Sequence, residues 1–257
     1  MRPRTATNMP ITTTAMAIII MADITTGTEM ADAGSDQGVL YRLLAWLSPS
    51  YPVGAYSHSH GLEWAVEAGE VREAAGLGDW VAQIVRYGSG RQDAILLAET
   101  WRAAVAGDDG RLAAVAELAA ALAPSRERQV ETVAQGRAFV LATDAAWPTG
   151  KDGFPEVAEM TYPVAVALAA ARHDVPLGPV LTGYLHAFAA NLVSAGVRLI
   201  PLGQTDGQRV IARLEADVAD VAREALVAGP DDLGGCVLLA DIASMRHETQ
   251  YTRLFRT

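Results

Sequence analysis

Residues 176 to 193 read PLGPVLTGYLHAFAANLV. Pro176 and Pro179 suit the first turn of a helix, and Val180, Leu181, Tyr184, Leu185, Phe188, Leu192 and Val193 then recur on nearly every side of it. The stretch predicts a long helix, the most buried element of a helical fold. Upstream, Val164, Val166, Leu168 and Ala171 predict a short apolar helix. Downstream, Thr205 and Gln208 have the T-x-x-Q spacing of a capping box, and Val210, Ile211, Leu214, Val218 and Val221 predict one amphipathic helix to Gly229. A last helix is expected over Val237 to Met245.

The first half reads the same way. Val39, Leu40, Leu43, Leu44 and Leu47 form a helical stripe ended by Ser48-Pro49. A loop rich in Pro and Gly leads to a short helix at Leu62 to Glu67. Asp79 is placed to cap a helix carrying Trp80, Ile84 and Val85, and after Gly88 and Gly90 the pattern resumes through Ile95, Leu96, Ala98 and Trp101. Gly107 to Gly110 turns the chain, an alanine-rich helix runs toward Pro124, and Ser125 caps the next one, with Val130, Val133, Phe139 and Val140. Residues 148 to 155, PTGKDGFP, form a loop by composition.

Composition agrees. Among 257 residues, 51% are hydrophobic and 19% charged, and 48 alanines against 6% aromatics favour helices over strands. The expectation is an all-α, single-domain helical bundle of about eight to ten helices over 38–257, preceded by a disordered or mobile leader at 1–37. In that leader the apolar run Ala15 to Ala22 falls short of the ~20 residues a bilayer span needs. The separation of Arg2 and Arg4 from the run argues against an export signal, and Met21 or Met30 could each start a shorter product.

A net charge of -10 and a pI near 4.9 oppose binding to nucleic acid or to an acidic membrane. The single lysine, Lys151, lies in G-K-D and not in the G-K-[ST] of a phosphate-binding loop, so the chain is no P-loop nucleotidase. Cys236 is alone, which excludes an internal disulfide and points to a cytoplasmic protein. There is no G-x-S-x-G, and His247-Glu248 lacks the second histidine of a zinc helix because Tyr251 stands in its place. His58 and His60, in S-H-S-H, could share a face and suit nickel or zinc, but two ligands do not close a site; the plainer reading is a loop with solvated or backbone-bonded imidazoles. His173 and His186 fall on helical faces and take no role, and no polar pocket residues stand out near Tyr184.

The end of the chain concentrates cations, with Arg246, His247, Arg253 and Arg256 beside one acid, Glu248. Tyr251, Leu254 and Phe255 stand at i, i+3 and i+4, one face of a helix. That face calls for a groove on a partner or on the protein's own core. A second polar cluster, PLGQTDGQR at 201–209, holds more Gln and Asp than a helix cap requires.

Three segments, SPSYPVGAYSHSHGLEWAVEAG (48–69), NLVSAGVRLIPLGQTDGQR (191–209) and DIASMRHETQYTRLFRT (241–257), together resemble the UreF family of urease accessory proteins, and their order extends the likeness over about 38–257. The resemblance implies an all-α protein without catalytic activity that dimerises, binds UreD (UreH in some organisms), recruits the GTPase UreG and docks on the urease apoprotein. It would couple GTP hydrolysis to nickel delivery, with no permanently bound cofactor or metal and nickel handled by the assembled complex. By that likeness Arg246, His247, Glu248, Gln250, Tyr251 and Arg253, with Leu254 and Phe255, would order on UreD. Gln204, Asp206, Gly207 and Gln208 would lie near the dimer contact or the nickel route, and Gly54, Ser57, Gly61 and Glu63 form the N-terminal motif. Deleting 246–257 would then leave a folded domain. The alternative is a metal-dependent helical enzyme built on His58 and His60.

Overall fold

A computed structural model describes residues 36–149, 153–155, 157 and 159–257. The expected leader falls outside the described residues up to position 35, as do Met21, Met30 and Lys151. Among the described residues the elements are α-helices and two short 3-10 turns: α1 Asp36–Trp46, α2 Leu62–Glu67, α3 Ala74–Tyr87, α4 Ser89–Ala106, α5 Asp109–Ala121, α6 Arg126–Ala146, α7 Tyr162–Arg172, α8 Leu177–Leu199, α9 Gln204–Arg213, α10 Glu215–Ala225 and α11 Leu238–His247. The all-α expectation holds, and α9 and α10 are the single helix expected over 205–229, divided at Leu214.

The buried centre is α7, packed between α4 and α6. Its residues Pro163 to Ala170 are all buried. Alanines at 165, 167, 169 and 170 let the neighbouring helices approach closely, which maximises dispersion contacts per unit length. The expectation that the 177–199 helix would be the most buried is corrected here: Thr182, His186, Ser194 and Arg198 recur every fourth or eighth residue and form an exposed stripe along α8. Half of the apolar window of α8 is buried, which makes it a core helix although it is long and apolar enough to cross a membrane. Helices α3, α9 and α10 and the short α2 also pack against α8.

Two local expectations change for stated reasons. Helix α9 starts at Gln204, because the Asp206 carboxylate reaches back to the Gly203 N–H at 3.2 Å and caps the turn ahead of the Thr205-Gln208 pair. Helix α3 starts after Glu73, so Asp79 sits in mid-helix, exposed and paired with Arg213 on α9. Ser125 caps α6 as read, its Oγ accepting from the Arg128 N–H at 3.2 Å. That cap fixes the register of α6 and turns Glu127, Glu131 and Gln135, at i, i+4 and i+8, toward the interior.

Candidate functional site

The chain's last ten residues meet the face of α6 that carries these acids. Helix α11 ends at His247, and residues 248–257 continue without helix. The expected helical face of Tyr251, Leu254 and Phe255 is therefore corrected: Tyr251 and Leu254 are exposed, whereas Phe255 is buried at 3%. The end of the strap alternates its side chains, sending Phe255 and Thr257 inward and Leu254 and Arg256 outward. The Phe255 ring lies 4.5 Å beneath the Arg198 guanidinium of α8.

Carboxylates hold the strap. Glu63 on α2 accepts from the Leu254 N–H at 2.6 Å and the Phe255 N–H at 2.9 Å. His247 is wholly buried, with Nε2 3.0 Å from Glu63 and Nδ1 2.7 Å from Glu127. A carboxylate oxygen thus stands at each of its two ring nitrogens. Arg253 adds a bond to the other Glu127 oxygen at 2.9 Å. Burial pushes the Glu127 carboxyl up, and the His247 hydrogen bond works against that rise. At the far end Ser59 donates its N–H to the Thr257 carbonyl at 2.6 Å, and the Arg256 N–H reaches the Ser57 carbonyl at 2.8 Å. Glu248 accepts from the Arg126 N–H, and Gln250 donates to Glu67, while Arg246 stays in solvent.

Two glycines of the N-terminal motif shape the cradle. Gly61 adopts φ +75°, and a Cβ there would come within 2.4 Å of the Ser244 backbone nitrogen, so it lets α11 lie against the start of α2. Gly54, at φ +74°, opens the turn that carries Ser57, whose hydroxyl bonds back to the Gly54 carbonyl at 2.8 Å. Thus Gly54, Ser57, Gly61, Glu63 and most of the tail form one cluster. Gln204, Asp206, Gly207 and Gln208 occupy the first turns of α9 instead: Asp206 caps the helix and pairs with Arg209, Gln204 and Gln208 are exposed, and Gly207 is buried, a Cβ there lying 2.9 Å from Val197 of α8.

The histidine pair is buried rather than solvated, a second correction. His58 donates or accepts at Nδ1 with the Thr257 hydroxyl at 2.7 Å, and His60 Nδ1 lies 3.2 Å from Glu131. Burial depresses both, His60 to about 3, so each imidazole is neutral. Burial would raise Glu131, but the Arg128 guanidinium 2.6 Å away, with His60 and His58 behind it, pulls it down to about 2. Among the described residues no group of three or more His, Cys, Asp or Glu could hold a metal ion, so the pair has no third ligand for the enzyme reading. His186 is exposed, and the His173 ring packs at a tilt against Trp46, 5.3 Å between centroids.

Sequence reading missed Glu127, Arg128, Glu131 and Gln135. The available signal was the i, i+4, i+8 polar row on a helix whose other stripe is apolar. It also missed a cavity of about 170 Å³ behind Tyr184, lined by Asp93, His60 and Arg128 among others, because those polar groups come from elements distant in sequence. His247, Phe255 and Thr257 of the tail are buried against the core, so deletion of 246–257 is expected to destabilise the rest of the fold.

Residues 71–215 match the family model named UreF. The chain is 55% identical, over 85% of its own length and 93% of the relative's, to a Rhodopseudomonas palustris (strain BisA53) protein named urease accessory protein UreF. A protein of the same name from strain HaA2 is 51% identical over 92% of this chain and 100% of its own length, and one from Bradyrhizobium diazoefficiens is 53% identical over 88% and 94%.

Proposed function

The chain belongs to the UreF family of urease accessory proteins, and from that membership we propose that it bridges the maturation partner UreD (UreH) and the GTPase UreG on the urease apoprotein. As a member of that family it is a non-catalytic maturation factor. In this reading it works as a homodimer in the cytoplasm and couples GTP hydrolysis by UreG to nickel delivery, the metal being cargo of the whole assembly.

One observation carries the reading. Leu238, Leu239, Ile242 and Met245 leave an apolar face of α11 in solvent, and the strap adds Tyr251 and Leu254 beside it, all exposed. Apolar side chains gathered on one surface mark an interaction site. Because His247, Phe255 and Thr257 anchor the strap from below, Tyr251 and Leu254 are held ready, and a partner need not spend its binding energy ordering them. UreD is the occupant we assign to this face. Arg253 and Arg246 at its margin supply polar rim contacts.

The test is co-purification of UreD with the full chain and with Tyr251→Ala combined with Leu254→Ala. The double variant keeps every anchoring bond, so it is expected to fold normally and lose UreD. A folded variant that retains UreD at wild-type level would overturn the assignment.

A further inference from the structure

The cavity behind Tyr184 has no part in the docking face and is built in a way that protein–protein contact does not explain. It is walled by Tyr51, Tyr56, Phe188 and Tyr184 and floored by Asp93 and His60. At about 170 Å³ it exceeds the roughly 150 Å³ that admits a benzene molecule into an engineered protein core.

Its polar groups are unusually unoccupied. His60 is 7% exposed, and neither ring nitrogen has a hydrogen bond, since Nδ1 faces Glu131 without the required alignment. Asp93 accepts one bond, from the Tyr184 hydroxyl at 2.8 Å, and among the described residues it has no ion-pair partner. Buried polar groups left open in this way call for a bound molecule or water. The charges decide which molecule. Arg128 is the cation at the site; its Nη1 lies 2.6 Å from Glu131, which balances its charge and also accepts from Thr257 and Gln135. Nε and Nη1 of Arg128 nonetheless have no aligned hydrogen bond. With neutral His60, the set is left with one uncompensated carboxylate, that of Asp93. An anion would meet two carboxylates, and a metal ion lacks a third ligand of the right type. Aromatic ring faces attract cations.

We propose that this cavity binds a small organic monocation, an alkylammonium or guanidinium group on a short apolar body, with its charge on Asp93 and its body against Tyr51, Phe188 and Tyr184.

The site has a pH signature. Burial pushes Asp93 up to about 6, against the lowering pull of Arg128 and the Tyr184 hydrogen bond, with Glu131 adding to the rise. The titratable and charged groups that line the cavity with it are Arg128 and Glu131 from α6, Tyr162 from α7, Tyr184 and His186 from α8, and Tyr51, Tyr56 and His60 from the segment between α1 and α2. A bound cation stabilises the carboxylate, so below the Asp93 pKa binding must displace a proton and weakens.

The test is calorimetric titration of the full chain with n-butylammonium, 1-butanol and valerate. The expected result is one saturable site for n-butylammonium, about tenfold or more tighter than 1-butanol, weaker at about pH 5 than at about pH 7, with no valerate binding. Asp93→Asn keeps an acceptor for Tyr184 and is expected to abolish the preference for the cation. Ala187→Leu, which fills the cavity and leaves the charges in place, is expected to abolish binding altogether. Equal affinity for valerate or butanol, an unchanged Asp93→Asn, or no binding of n-butylammonium at up to about 50 mM, where even weak millimolar sites saturate, would overturn the proposal.

Discussion

Glu63 and His247 are 184 positions apart in the chain, and their side chains meet at 3.0 Å in a site where the histidine has no exposed surface. The same carboxylate takes the backbone N–H groups of Leu254 and Phe255. One side chain of a six-residue helix therefore ties down both the end of α11 and the strap after it.

Removing the Glu63 carboxylate leaves His247 only its Glu127 bond and takes the side-chain acceptor from two strap N–H groups. We expect Glu63→Ala to cost about 1–3 kcal/mol of folding stability for each buried group left unsatisfied. The loss is read as a lower urea midpoint, and amide exchange at Leu254 and Phe255 should accelerate well beyond that at Val166 in the core. Unchanged exchange in the strap would show that Glu63 does not hold it.

Gly61→Ala tests the close approach of α11. The left-handed backbone alone costs roughly 1–2 kcal/mol for an L side chain. The added methyl also meets the backbone at Ser244, which cannot swing aside as a side-chain tip would. Thermal unfolding should fall by several degrees more than for Gly76→Ala, where a Cβ meets nothing within 4 Å. Equal shifts in the two variants would contradict the packing argument.

His60 makes the fold acid-sensitive. Its folded pKa, about 3, lies below the ordinary 6.5, so the unfolded chain binds the extra proton in that window. The stabilisation is complete above about pH 6.5 and is lost as pH falls toward 3. His60→Asn tolerates the φ of 55° at this position and should flatten the fall in stability between about pH 6 and 4. Chemical denaturation across that range measures it, and an undiminished slope in the variant would assign the acid sensitivity to other groups.

The helices were legible because their signals are local. The Ser125 cap, the Leu62–Glu67 turn and the stop at Gly107, which is left-handed at φ 65°, each depend on neighbours within one turn. The break at Leu214 was not legible: Val210, Leu214, Val218 and Val221 keep one apolar face across it, so the periodicity continues where the hydrogen-bond ladder shifts. Nor was the site. His247 was assigned to the partner-binding tail from the family likeness, whereas its two acids lie on α2 and α6, distant in sequence. The i, i+3, i+4 spacing of Tyr251, Leu254 and Phe255 suggested a helix, but backbone bonds from Leu254 and Phe255 to Glu63 and from Arg256 to Ser57 hold the strap in a non-helical course.

The central claim is that this chain activates urease by presenting surfaces and performs no chemistry itself. The most direct measurement is activation of urease apoprotein by nickel and GTP in the presence of UreD and UreG, with the full chain, with the folded Tyr251→Ala and Leu254→Ala double variant, and with no added chain. The account predicts urease activity with the full chain alone among the three. Equal activation by the double variant, or without the chain, would contradict it.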